Sequence, residues 1–157
     1  MADKRKEYIH YGSKFFDKNK FDKISNVYGM TKPFGGLWAS DKNAKYGWKQ
    51  WCEESNFRNN SENNSFTFKL SNGANVAHIY SREDVIKLPH VKNDFASFCN
   101  WVFLDFEKIK EIGIDAIELH LSEEKDHTGI MDGLRHVLNL WDCDSILILN
   151  PDIIESE

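Results

Sequence analysis

Apolar and polar positions along this chain follow two rhythms, and the change from one to the other outlines its elements. Residues 65–70 set Phe66, Phe68 and Leu70 on one side and Thr67 and Lys69 on the other, the period of two expected of a half-buried strand. Ser71-Asn72-Gly73 supplies turn residues, so residues 75–80 read as the return strand of a hairpin. Residues 114–121 alternate in the same way through Ile114, Ile117, Leu119 and Leu121. Residues 145–149 form a short apolar run that reads as a buried strand closed by Asn150-Pro151. Two earlier strands are predicted at residues 8–12 and 37–40, the second entered through the Lys32-Pro33-Phe34-Gly35-Gly36 turn.

Helical signals are shorter. Asp41 is placed to cap a helix running to about Glu54. Ser81 with Asp84 opens a short helix that stops before Pro89, and Asp105 caps another over residues 106–112, with Gly113 at its end. Ile130, Leu134, Val137 and Leu138 recur at helical spacing over residues 129–140. Phe15, Phe16, Phe21 and Ile24 fit a short helix or a packed loop, and residues 101–104 are an apolar run of undecided type. The Asn-rich stretch 55–64 is a loop. Strands gathered early and late, with short helices between and no regular β-α alternation, predict an α+β fold. At 157 residues the chain suits a single domain over residues 1–157.

Composition removes several function classes. The net charge of −5 argues against a nucleic-acid partner, because phosphate binding draws on an excess of Lys and Arg. Three scattered cysteines, Cys52, Cys99 and Cys143, make neither a disulfide framework nor a Cys-x-x-Cys pair. No apolar run approaches a membrane span, and no leader is evident, so a cytoplasmic protein without a membrane partner is expected. Phosphate-loop, dinucleotide-fold and nucleophile-elbow motifs are absent. His120 and His127 flank Glu123, Glu124 and Asp126 in what reads as an exposed loop, and no metal is expected. Cys143, between Asp142 and Asp144, is a poor nucleophile, since flanking carboxylates raise a thiol's pKa.

Three short segments survive this sieve. Tyr8-Ile9-His10-Tyr11-Gly12-Ser13 is an apolar strand ending in His, Gly and Ser. Gly35-Gly36-Leu37-Trp38-Ala39-Ser40 is a second, followed by Tyr46 and Trp48. Trp141-Asp142-Cys143-Asp144 leads into the last buried strand. Each has a plain structural reading: a half-buried imidazole, core indoles and a turn aspartate. Together and in this order the chain resembles the ADP-ribosyltransferase superfamily on its diphtheria-toxin and poly(ADP-ribose) polymerase side, whose signature residues are His, Tyr and Glu. The resemblance touches about a quarter of the residues. Three departures stand out: Tyr11 separates His10 from Gly12, Trp38 stands for the usual Tyr, and Asp144 is one methylene shorter than Glu.

The resemblance implies an ADP-ribosyltransferase-like split β-sheet core with short flanking helices, and NAD+ as a consumed substrate. His10 would bond the nicotinamide-side ribose, the backbone at Tyr11 or Gly12 would hold the carboxamide, and Ser13 completes that motif. Trp38 with Trp48 or Tyr46 would sandwich the ring beside Ser40, and Asp144 would act as the catalytic carboxylate with His10. The implied activity is mono-ADP-ribosyl transfer to a macromolecular acceptor, a protein before a nucleic acid, by a small bacterial or phage effector. A non-catalytic binding or inhibitor module is the alternative. An RNA 2′-phosphotransferase of the same fold is disfavoured by the four Arg and the net charge of −5. Glu118 is the second carboxylate weighed, but its mid-strand place predicts that it faces solvent.

Overall fold

The computed structural model describes residues 2–92, 94, 99–125 and 128–156. Its strands are β1 (Glu7–Tyr11), β2 (Leu37–Asp41), β3 (Ser65–Leu70), β4 (Val76–Ile79), β5 (His90–Val91), β6 (Phe103–Leu104), β7 (Ala116–Leu119), β8 (Ser145–Ile148) and β9 (Ile154–Ser156). Seven of them make one mixed sheet in the order β4-β7-β8-β2-β1-β3-β9, and β5 pairs with β6 apart from it. Within the large sheet only β4 and β7 run parallel. Four short helices accompany the strands: α1 (Trp48–Glu54), α2 (Arg82–Ile86), α3 (Phe106–Glu111) and α4 (Leu134–Val137). The fold is α+β, as expected. No helix among the described residues is long and apolar enough to cross a membrane.

The sheet is buried on both faces. One face packs Ile117, Leu119, Leu147 and Leu149 against Val85 of α2, Phe106 and Ile109 of α3, and Leu134 and Val137 of α4. The other packs Tyr8, Ala39, Phe66, Phe68, Ile146 and Ile148 against Ile153, with Phe16 and Phe21 from the segment after β1. Every residue of β7 and β8 is therefore buried, which is why the apolar run 145–149 shows no alternation. Trp141 is fully enclosed, edge-on to Trp38 and stacked with Phe106, and its indole N–H donates to the Thr31 carbonyl at 2.8 Å.

Several expectations need correction. Residues 65–70 and 75–80 do not form a hairpin: β3 pairs with β1 and β9, whereas β4 lies at the opposite edge beside β7. The turn at residues 71–74 does form, with the Ala74 N–H on the Ser71 carbonyl, but it launches a crossing of the sheet. Asp41 ends β2 and accepts from the Asn43 N–H in a turn, so α1 begins only at Trp48. The helical signal over 129–140 yields a 3-10 turn at Ile130–Asp132 and one turn of α4; Ile130 is exposed. Ser81 and Asp105 do cap α2 and α3, accepting from the N–H groups of Asp84 and Lys108. Asp126 and His127 lie outside the described residues.

Entry into β2 depends on two glycines. Gly35 and Gly36 have φ of +79° and +74°, and a Cβ on Gly35 would stand 2.4 Å from the Lys23 carbonyl oxygen. Residues 22–25 pass directly over this turn, with Gly36 N–H donating to the Asp22 carbonyl. Left-handed geometry costs a residue with a Cβ about 1–2 kcal/mol, and overpacking adds about 1–3 kcal/mol. Gly35→Ala should therefore destabilise the protein by about 2–5 kcal/mol in urea unfolding. Gly113→Ala, at φ +93° but in open space, should cost only the first part, about 1–2 kcal/mol.

Candidate functional site

β1, β2 and β8 lie side by side, and at their ends opens a cavity of about 200 Å³. It is lined by Trp38, Trp48 and Trp141 together with His10, Tyr11, Ser40, Lys32, Asp142 and Cys143. Trp48 is held by a stack with Trp51 at 5.2 Å and an edge contact with Phe57. The Lys32 ammonium sits 5.1 Å from the Trp38 ring centre.

His10 is fixed by its own strand pair. Its Nδ1 lies 2.6 Å from the Trp38 carbonyl oxygen. A carbonyl only accepts, so Nδ1 carries the proton and Nε2 is left as an acceptor. Burial pulls the imidazole pKa down, and the Trp38 carbonyl only partly offsets this. Lys32 is likewise pulled down by burial, with Asp142 opposing. Cys143 is pushed up to about 12, first by burial and then by Asp144 and Asp142, against Lys32. The thiol therefore stays protonated and inert.

Of the expected site residues, His10, Tyr11, Trp38, Ser40 and Trp48 come together around this cavity. Ser40 is nearly enclosed, and its hydroxyl is already committed: it donates to the Asp144 carbonyl at 2.8 Å and accepts from the Trp48 N–H at 3.0 Å. Gly12 has φ +122° and donates to the Asn64 carbonyl; neither it nor Ser13 lines the cavity. Tyr46 turns outward, its hydroxyl on Glu54 and its ring beneath the Arg135 guanidinium. Trp48 rather than Tyr46 thus lines the cavity with Trp38.

Asp144 does not face His10. It precedes Ser145 by one residue, and strand alternation sends the two side chains to opposite faces. Its carboxylate accepts from the Ser122 N–H at 2.8 Å and from the Ser122 hydroxyl. It lines a second, polar cavity of about 220 Å³ with Lys6, Asp41, Glu118, His120 and Ser122. The two cavities meet at Ser145. The carboxylate that does line the ring-walled cavity is Asp142.

Glu118 is buried, not exposed to solvent, because β7 is interior on both faces. Its Oε1 accepts from the Lys6 ammonium at 2.8 Å and its Oε2 from the Tyr8 hydroxyl at 3.0 Å. Burial lowers the Lys6 pKa, but Glu118 and then Asp41 outweigh it and hold the ammonium charged. Burial, then the Glu118 charge, pushes the Tyr8 phenol far up, so it remains a donor. His78 and His120 stand beside the same carboxylate; His78, Glu118 and His120 bring ligand atoms within 4.8 Å of one another. Sequence reasoning passed over this group because His78 reaches it only through the β4–β7 register, where it pairs with Glu118. The spacing Glu118-x-His120, which puts both on one face of a strand, was the signal present.

Comparison with protein-family models, curated proteins and solved structures finds no match.

The depressed His10 pKa fixes a sign. The unfolded chain, with an imidazole near 6.5, binds more protons than the folded one, so stability is complete above that value and falls as pH drops through it toward the folded pKa. Unfolding free energy should fall as pH drops below about 6.5, and His10→Gln should reduce that fall. Identical slopes in the two proteins would show that His10 is not held neutral.

Proposed function

We propose that this chain is an ADP-ribosyltransferase-like domain that takes the nicotinamide end of NAD+ between Trp38 and Trp48 and passes ADP-ribose to a macromolecular acceptor, a protein. The observation that carries this reading is adjacency. The three segments on which the resemblance rests lie on or lead into neighbouring strands, and five of the expected site residues, all from the first two segments, line one cavity. The finer description of the sheet as an ADP-ribosyltransferase-like split core is part of the same proposal.

The chemistry of the walls supports it. A cavity of about 200 Å³ is smaller than the roughly 300–1,000 Å³ that encloses a whole ligand, so it takes one end of a dinucleotide. The nicotinamide ring of NAD+ is cationic and flat, and indole faces attract such a ring. His10 Nε2, an acceptor, meets a ribose hydroxyl. Arg58, exposed where it lines the cavity, offers a cation to the pyrophosphate.

In the transfer step the C1′–N bond breaks and its electron pair stays on the nicotinamide nitrogen, cancelling the ring's charge. The ribose becomes an oxocarbenium ion, which a fixed carboxylate stabilises. The acceptor's nucleophile then bonds to C1′ and loses its proton. Asp142 lines the cavity, whereas the Asp144 carboxylate lines the other cavity, clamped by Ser122. That clamp on Asp144 favours a second reading, a module that binds NAD+ without cleaving it.

Calorimetric titration with NAD+, alongside free nicotinamide measured with and without cell lysate, separates the cases. Release that needs lysate supports transfer, release from NAD+ alone indicates a glycohydrolase, and binding without release indicates the binding module. Neither binding nor release would end the proposal. Trp48→Ala should weaken NAD+ binding about 5- to 150-fold, the loss of one stacking face worth about 1–3 kcal/mol. Under transfer, Asp142→Asn and Asp144→Asn identify the carboxylate, since the one that serves should lower release about 10²–10³-fold.

A further inference from the structure

We propose that His78, Glu118 and His120 form a binding site for a divalent transition-metal ion, Zn2+ above all, at the parallel edge pair of the sheet. This inference does not rest on the NAD+ reading.

Three separations carry it. His78 Nδ1 and His120 Nε2 are 2.9 Å apart, and Glu118 Oε2 lies 3.5 Å from the first and 3.9 Å from the second. Ligands held about 2.0–2.1 Å from zinc in a tetrahedron stand about 3.3 Å from one another. The observed triangle brackets that value, so the three atoms reach zinc-ligand geometry with small side-chain adjustments. Two imidazoles and one carboxylate also suit zinc's donor preference, and three protein ligands leave a fourth position. Two of the three ligands, Glu118 and His120, line the polar cavity with Asp41, Ser122 and Asp144.

The surroundings fit a ligand set more than a solvated surface. His120 lies flat against Tyr80, ring centres 4.2 Å apart and planes within 6°, which fixes its orientation. Glu118 is clamped through both oxygens by Lys6 and Tyr8, the outer-sphere support that fixes a ligating carboxylate. Lys6 takes Oε1, so Oε2, whose second lone pair is not needed by the Tyr8 hydroxyl, is the oxygen for the metal. The Lys6 charge opposes a cation, but Glu118 and Asp41, both within 3.5 Å of that ammonium, outnumber it. Two ring nitrogens 2.9 Å apart share one hydrogen bond, which a metal ion would replace with two coordinate bonds.

The test is titration of the chelator-treated full chain with Co2+, followed by its visible tetrahedral absorption, and displacement by Zn2+. One equivalent should bind. His78→Ala and His120→Ala should each weaken binding more than about 100-fold, because even outer-sphere losses cost about 10–100-fold. His78 is exposed, so its substitution leaves the core intact and keeps the test open should the His120 or Glu118→Gln variants unfold. His90→Ala, an exposed histidine elsewhere, should bind normally. Failure to bind one equivalent, or binding that His78→Ala and His120→Ala leave unchanged, would overturn the site.

Discussion

One buried hydroxyl joins the parts on which both cavities depend. Ser40 Oγ donates to the Asp144 carbonyl and accepts from the Trp48 N–H, so a single group from β2 ties the entry of β8 to the first turn of α1. The Asp144 N–H completes the junction on the Tyr46 carbonyl. Backbone groups at a helix start and a strand start both lack regular partners, and leaving them dry and unpaired costs about 1–3 kcal/mol each. Satisfying them with one serine explains why α1 starts at Trp48, seven residues after the strand ends, and why Trp48 is delivered over the ring-walled cavity. The same bonds hold Asp144 by its main chain, which leaves its carboxylate to the opposite face.

Strand alternation then sorts the chemistry. From β8, Ser145 goes to the indole side, while Asp144 before it goes to the side of Glu118. Along β7, Ile117 and Leu119 feed one core while Ala116 and Glu118 face the other. A carboxylate among Tyr8, Phe68 and Ile146 carries a desolvation cost of several kcal/mol, so Glu118 must have partners. It has them in Lys6 and Tyr8, both delivered by the first strand and its lead-in. The N-terminal segment is thus bound to the middle of the sheet by charge and hydrogen bonds as well as by β-pairing.

What could be read in the sequence was what depends on local chemistry. The period of two in Phe66, Phe68 and Leu70, the caps at Ser81 and Asp105, and the apolar run after Ser145 each follow from neighbours in the chain. The order of His10, Trp38 and Trp48 was enough to place them around one cavity. What failed depends on pairing at long range. Ser71-Asn72-Gly73 makes a turn whether the next strand returns or crosses, and nothing local separates the two. Glu118 reads as a solvent-facing charge from its mid-strand place, whereas β7 is an interior strand buried on both faces. Residues 129–140 carried helical spacing, yet Gly129 and Gly133 break the segment and Trp141 must turn inward. The edge strand β9 follows a proline and was invisible to an alternation search.

The charges around the two cavities argue for their different occupants. The ring-walled cavity combines indole rings, the acceptor nitrogen of His10 and two cations, Lys32 against the Trp38 ring and the exposed Arg58. Its thiol is inert, so covalent chemistry there falls to whatever it binds. The polar cavity has a different balance: four carboxylates and an imidazole against Lys6 and Lys45, a field that attracts a small cation and repels a phosphate. A nucleotide and a metal ion would thus be drawn to opposite sides of β8, separated by Ser145. The Asp144 carboxylate is bound by Ser122 on the second side while its carbonyl is bound by Ser40 on the first, so one residue belongs to the walls of one site and the framework of the other.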